Sequence, residues 1–171
     1  MSASWLQYVQ LSKFSKPAIE RRIYAMIKRN QPRNIVEIGV GTAQRATRII
    51  SVAQRFATGA ICYTGIDMFE AASDTRSRAT LKEAHQLLTP LSAEVRLVPG
   101  DSVSGLARCA NNLANVDLLI VTADADSQNI EPCKRFLSRM LHDHSLILLA
   151  QPNGFQKIQF VDLTASARRA A

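Results

Sequence analysis

The chain has 171 residues, 47% apolar and 20% charged, with a net charge of +7. These are globular proportions on a length that suits one domain with a substantial core, and they exclude a disordered or low-complexity chain. The longest apolar run, Leu146-Ile147-Leu148-Leu149-Ala150, falls far short of the roughly 20 residues that span a bilayer, and the amino terminus lacks a basic-then-apolar leader.

Residues 1–33 carry Lys13, Lys16, Arg21, Arg22, Lys28, Arg29 and Arg33 against Glu20 alone. This segment therefore holds +6 of the charge and leaves +1 to residues 34–171. Trp5, Leu6, Val9 and Phe14 suggest a short helix or lid. Pro17 can open a helix over residues 18–29, with Ile19, Ile23, Met26 and Ile27 on one face and the basic residues mostly elsewhere. Such a basic face is either a solvated surface or a site for RNA, acidic lipid or an anionic substrate. Asn30-Gln31-Pro32 ends the helix.

Strands and helices then alternate. Strands are expected at 34–38, 61–66, 94–98, 117–122 and 145–150, and helices at 42–57, 78–88, 102–113 and 130–141. Continuous apolar strands such as Leu118-Leu119-Ile120-Val121 suit a doubly wound α/β fold, a mostly parallel sheet with helices on both faces. A further strand is expected at 157–161, and no repeat or interdomain linker is visible. The reading is a basic amphipathic helical segment, 1–33, joined to an α/β body, 34–171. Cys62, Cys109 and Cys133 are odd in number and lack CxxC spacing, so they read as reduced thiols in a cytoplasmic protein without zinc.

In a parallel sheet, ligands bind outside the carboxyl ends of the strands, so the residues there matter most. The first strand ends in Glu37-Ile38-Gly39-Val40-Gly41-Thr42-Ala43, where glycines without Cβ let the backbone turn and a ligand approach. Gln44 stands where a dinucleotide fingerprint has its third glycine, which argues against that motif. The second strand ends in Asp67, an acceptor suited to the vicinal hydroxyls of a ribose, followed by Met68 and Phe69, either of which can lie against an adenine ring. The third ends in Gly100-Asp101-Ser102, suited to adenine or, through Ser102, to a helix N-cap. The fourth ends in Thr122-Ala123-Asp124-Ala125-Asp126, whose acids suit either a ligand or a solvated turn. Glu37 reads as a ligand-site acid or as one that orients the loop.

The acidic residue followed by Gly39, Gly41 and Ala43 resembles motif I of class I S-adenosylmethionine-dependent methyltransferases, with alanine in place of the last glycine. The ordered strand ends resemble that family's motifs I to IV over residues 34–150. The resemblance implies S-adenosylmethionine in this groove, with Gly39 and Gly41 beside the methionine moiety and Thr42 in the same loop. It implies Asp67 on the ribose, with Met68, Asp101 and Ser102 near the adenine. Glu37 and Asp124 would suit a positive sulfonium better than a pyrophosphate. Asp124 is the catalytic candidate.

The fourth strand also resembles catechol-type O-methyltransferases, in which an acid at its end ligates magnesium. Thr122 stands there in a gapless alignment, and a two-residue shift substitutes Asp124. Only Asp124, Asp126 and Asn153 offer further hard ligands, with His142 and His144 assigned to the turn before the fifth strand. No metal site is expected. The family closes its sheet with an antiparallel strand pair, which is shortened here. Gln151-Pro152-Asn153 does not match an N-P-P-Y amino-methylating motif. The implied activity is O-methylation of a small molecule. The alternatives are an RNA or ribonucleoprotein methyltransferase using residues 13–33, or an inactive methyltransferase-like binding module. Trp5, Leu6 and Val9 suit either a cover over the site or a homodimer contact.

Overall fold

A computed structural model describes residues 5–14, 20–72, 78–122, 131–151 and 154–159. Helices α1 (Trp5–Phe14) and α2 (Glu20–Asn30) precede an alternating series. It runs β1 (Asn34–Ile38), α3 (Gln44–Phe56), β2 (Cys62–Asp67), α4 (Leu81–Leu88), β3 (Glu94–Pro99), α5 (Ser102–Cys109), β4 (Val116–Val121), α6 (Lys134–Met140), β5 (Leu141–Gln151) and β6 (Gly154–Gln159). The sheet order is β3-β2-β1-β4-β5-β6. The first five strands are mutually parallel, and β6 returns antiparallel to β5. The order reverses between β1 and β4, which opens a crevice at the carboxyl ends of those two strands.

Strand alternation divides the core cleanly. Ile35, Tyr63, Leu118, Ile120, Leu146 and Leu148 face α2, α3 and α4. Val36, Ile38, Ile66, Leu119, Val121 and Ile147 face α5 and α6. With both faces covered, the strands read as continuous apolar runs. Helix α2 buries Ile23, Tyr24 and Ile27 and places Lys28 and Arg29 in its last turn, where cations oppose the helix dipole. Ile19, expected on that face, lies outside the described residues.

Several boundaries differ from expectation, each for a local reason. Helix α3 starts at Gln44 and not at Thr42, because Gly41 and Ala43 adopt positive φ and cannot continue a helix. Helix α4 starts at Leu81 and not at Arg78, because Thr80 is its N-cap and forms a capping box with Glu83. Helix α5 ends at Cys109 and passes into a 3₁₀ turn at Ala110–Asn112. Helix α6 ends at Met140, so Leu141 opens β5. His142 and His144 therefore belong to a strand and not to the turn before it. The Ser145 hydroxyl donates to the Val116 carbonyl and accepts from the His142 N–H, holding the strand start where its register on β4 shifts. The last strand begins earlier than expected, at Gly154, and Phe160 and Val161 lie outside the described residues.

Candidate functional site

The loop after β1 is built by backbone conformation. Gly39 sits at φ +88°, Gly41 at +61° and Ala43 also at +61°, so the last position of the motif keeps a glycine-like conformation without glycine. That conformation costs an L-residue about 1–2 kcal/mol, and the methyl of Ala43 is fully buried.

The strand ends are stitched to one another at this loop. Gly39 N–H donates to the Ile66 carbonyl at 2.8 Å, and Gly41 N–H donates to Asp67 Oδ2 at 2.8 Å, joining β1 to β2. Gly100 N–H donates to the Asp67 carbonyl at 2.9 Å, joining β2 to β3. The Thr122 hydroxyl donates to the Gly39 carbonyl at 3.0 Å and the Ile38 carbonyl at 3.2 Å, joining β4 to β1. Gly39, Gly41, Asp67 and Thr122 are thus brought into one constellation at the switch point.

Glu37 is also present there, but engaged from within. Its side chain is 0% exposed, Arg45 Nε donates to Oε1 at 2.5 Å, and the Tyr63 hydroxyl donates to Oε2. Arg45 Nη2 additionally donates to the Gly39 carbonyl at 2.7 Å, so one guanidinium both pairs the buried acid and holds the glycine loop. Burial and the neighbouring carboxylate push the Tyr63 hydroxyl far above its ordinary range. Burial opposes the Arg45 charge, and attraction to Glu37 outweighs it. A second buried set lies alongside: the Tyr24 hydroxyl donates to Glu20 at 2.7 Å and Arg48 pairs with Glu20 at 3.1 Å, tying α2 to α3. The geometry supports Glu37 as a loop-orienting acid.

Asp67 is buried, and its carboxylate accepts from Gly41 N–H on one oxygen and from Arg78 Nη1 at 2.6 Å and Phe69 N–H at 3.3 Å on the other. Phe69 holds φ +49°, an unusual backbone for a bulky residue, and its ring is packed into the core. Met68 is thereby left 41% exposed, so of the two candidate adenine contacts Met68 is accessible and Phe69 is not.

Asp101 is the N-cap of α5, accepting from Val103 N–H, Ser104 N–H and the Ser104 hydroxyl. The Ser104 hydroxyl leads in holding its carboxyl below the ordinary range. The N-cap position, one of the two readings of Ser102, belongs to Asp101. Thr42 is exposed in the turn before α3. Asp124, Asp126 and Asn153 lie outside the described residues. Among the described residues no group of three or more His, Cys, Asp or Glu is placed to hold a metal. His142 sits at the amino end of the sheet, where its Nε2 lies 3.4 Å from Asp117 Oδ1. A cavity of about 180 Å³ also opens at that end, between Asn34, Cys62, Glu94, Arg96 and Asn112, away from the glycine loop.

No family model matches the chain, and no curated protein does. Solved structures do. An O-methyltransferase from Bacillus cereus in complex with SAH aligns at a TM-score of 0.60 and 15% identity, over 84% of this chain and 63% of that one. The fold is that of the class I methyltransferases. The O-methyltransferase TomG from Streptomyces achromogenes, solved with SAM, shares this methyltransferase fold at a TM-score of 0.58 and 14% identity, over 84% of this chain and 62% of that one. Cofactor-bound Rv0187 from MTB does so at 0.57 and 14%, over 95% and 72%. The chain spans less than two thirds of the length of the first two.

Arg45, Tyr63, Arg78 and the hydroxyl of Thr122 carry much of the geometry of these strand ends; sequence reasoning named Thr122 at the end of the fourth strand and passed over the other three. Arg45 had one available signal, a cation in the first turn after a glycine loop that follows a buried acid. Tyr63 and Arg78 meet their acids only through strand register and loop return, which no local pattern encodes.

Proposed function

We propose that the chain is an S-adenosylmethionine-dependent methyltransferase acting on an oxygen of a small molecule. The observation that carries the reading is the glycine turn at the β1–β4 switch point, hydrogen-bonded through Gly41 N–H to an acid that ends β2. Backbone without Cβ at Gly39 and Gly41 lets a methionine moiety lie against the chain, Asp67 suits ribose hydroxyls, and exposed Met68 suits an adenine face. When bound, the cofactor would supply an electrophilic methyl group on a sulfonium. The chain's part is to hold that group in line with the acceptor oxygen and to exclude water. Thr42 and Ser102 are assigned to the rim of the same groove, and Asp124 to proton transfer from the acceptor. Glu37 and Asp101 are assigned to shaping the site through the glycine loop and the α5 N-terminus.

The bound ligands of two similar O-methyltransferases support this reading. Transfer of labelled methyl from S-adenosylmethionine to a panel of phenols, catechols and hydroxy acids tests it. Label in product that Asp124→Asn abolishes supports it. Ligand binding without transfer to any acceptor would favour an inactive binding module.

RNA as the acceptor is a second reading, motivated by exposed Arg22, Lys28 and Arg29. Lys28 is partly committed, lying over the rings of Tyr8 and Phe56 at 5.2 and 5.7 Å. Retention of RNA that falls steeply with salt would favour this reading. Trp5 and Leu6, 58% and 74% exposed, suit a homodimer contact, which sedimentation of Trp5→Ser against wild type tests. Three free thiols at Cys62, Cys109 and Cys133 suit a reducing, cytoplasmic setting.

A further inference from the structure

Asp67 has too few open acceptor positions for the ligand it is assigned. A carboxylate offers about four lone-pair sites across its two oxygens. At Asp67, Gly41 N–H, Phe69 N–H and Arg78 Nη1 occupy three of them. A ribose diol brings two hydroxyl donors and needs two sites. The Gly41 and Phe69 donors are backbone groups fixed by the turn, so Arg78 is the partner that can yield.

Arg78 is placed by a well-anchored segment. The next residue, Ala79, donates its N–H to the Gly41 carbonyl at 2.9 Å, so the residues leading into α4 are held against the glycine loop. Two residues further, Leu81 N–H donates to Glu70 at 2.8 Å, and the Thr80–Glu83 capping box fixes the start of α4. The ion pair itself is shielded, with the Arg78 side chain 14% exposed and that of Asp67 2%.

We propose that Arg78 is a competitor built into the nucleoside subsite: its pairing with Asp67 and full diol binding are mutually exclusive, so Arg78 sets the cofactor affinity. This rests on the proposed assignment of Asp67 to a ribose. A ligand that binds only the fraction of molecules with Arg78 displaced shows an affinity reduced by that fraction. A nucleoside with one ribose hydroxyl fits the remaining acceptor site and leaves the pair intact. The wild type therefore gains little from the second hydroxyl.

The test is calorimetric titration of wild type, Arg78→Ala and Arg78→Met with S-adenosylhomocysteine and its 2′-deoxy analogue, with melting curves to establish that each variant is folded. In the wild type the two ligands bind with similar affinity. In both variants S-adenosylhomocysteine binds roughly tenfold tighter than in wild type, and its advantage over the deoxy analogue widens by the same factor. Unchanged or weakened S-adenosylhomocysteine binding in folded variants, with wild-type binding intact, overturns the inference alone. An absence of binding to wild type and variants alike overturns the cofactor reading and this inference with it. Binding by the variants where the wild type shows none supports both.

Discussion

Replacing Arg45 by methionine removes the cation that pairs a fully buried carboxylate. Glu37 keeps the Tyr63 hydroxyl but loses the donor on Oε1, and the Gly39 carbonyl keeps only Thr122. Breaking one side of a buried ion pair costs about 3–5 kcal/mol. Urea unfolding at pH 7 is the assay: the variant loses about 3–5 kcal/mol. Glu37→Gln combined with Arg45→Met should restore at least about 2 kcal/mol at pH 7, since no charge is then left buried. A loss below about 1 kcal/mol at pH 7 would refute the buried-pair account.

Other expectations follow from the same geometry. Asp101→Ala should cost about 1 kcal/mol through loss of the α5 cap, while changing S-adenosylhomocysteine affinity less than threefold; a large affinity loss without a stability loss would return Asp101 to the adenine site. A Cβ at Gly105 would overlap Cγ2 of Ile66, so Gly105→Ala should destabilise by about 1–3 kcal/mol, and by clearly less when introduced into an Ile66→Ala background. An equal penalty in both backgrounds would mean that α5 does not pack on β2 this closely. The carboxyls of Asp101, Glu70 and Glu83 are held below their ordinary values of 3.8, 4.5 and 4.5 by the Ser104 hydroxyl, Leu81 N–H and Thr80 N–H respectively. Groups shifted downward contribute stability above their ordinary values and lose it as pH falls through the folded ones. The melting temperature should thus hold steady down to about pH 5 and decline below it, and a melting temperature that rises on acidification would contradict these pairings.

The fold was legible because both faces of the parallel sheet are covered. Leu118-Leu119-Ile120-Val121 on β4 and Leu146-Ile147-Leu148 on β5 must be apolar on each side, and alternating helices supply the cover. The glycine turn and Asp67 were legible because each is a residue type that a sharp strand-end turn or a donor-rich ligand requires locally. What sequence could not show is who satisfies those groups. Glu37 read first as a ligand-site acid and second as a loop acid, and its partners Tyr63 and Arg45 reach it through a strand register and a helix approach that no local pattern encodes. Ala43 read as a departure from the motif, yet its backbone keeps the glycine conformation because the surrounding loop enforces it. The expected start of α4 lay three residues early, ahead of the Thr80–Glu83 capping box that sets it. His142 and His144 looked like turn residues because they are polar, whereas Ser145 binds the backbone on both sides and carries the strand through them.

The central claim is that Asp67, beside the glycine turn, receives a cofactor ribose. Calorimetric titration with S-adenosylhomocysteine, wild type against Asp67→Ala, tests it most directly, with melting curves to confirm that the variant is folded. Hydrogen bonds to a charged partner are worth about 1.5–3 kcal/mol, so the variant should bind roughly 10- to 150-fold more weakly. The wild type at a hundredfold excess of ligand over Kd should gain about 2.7 kcal/mol of stability. Equal affinity in wild type and a folded variant would contradict the site assignment, and no binding by either would contradict the cofactor itself.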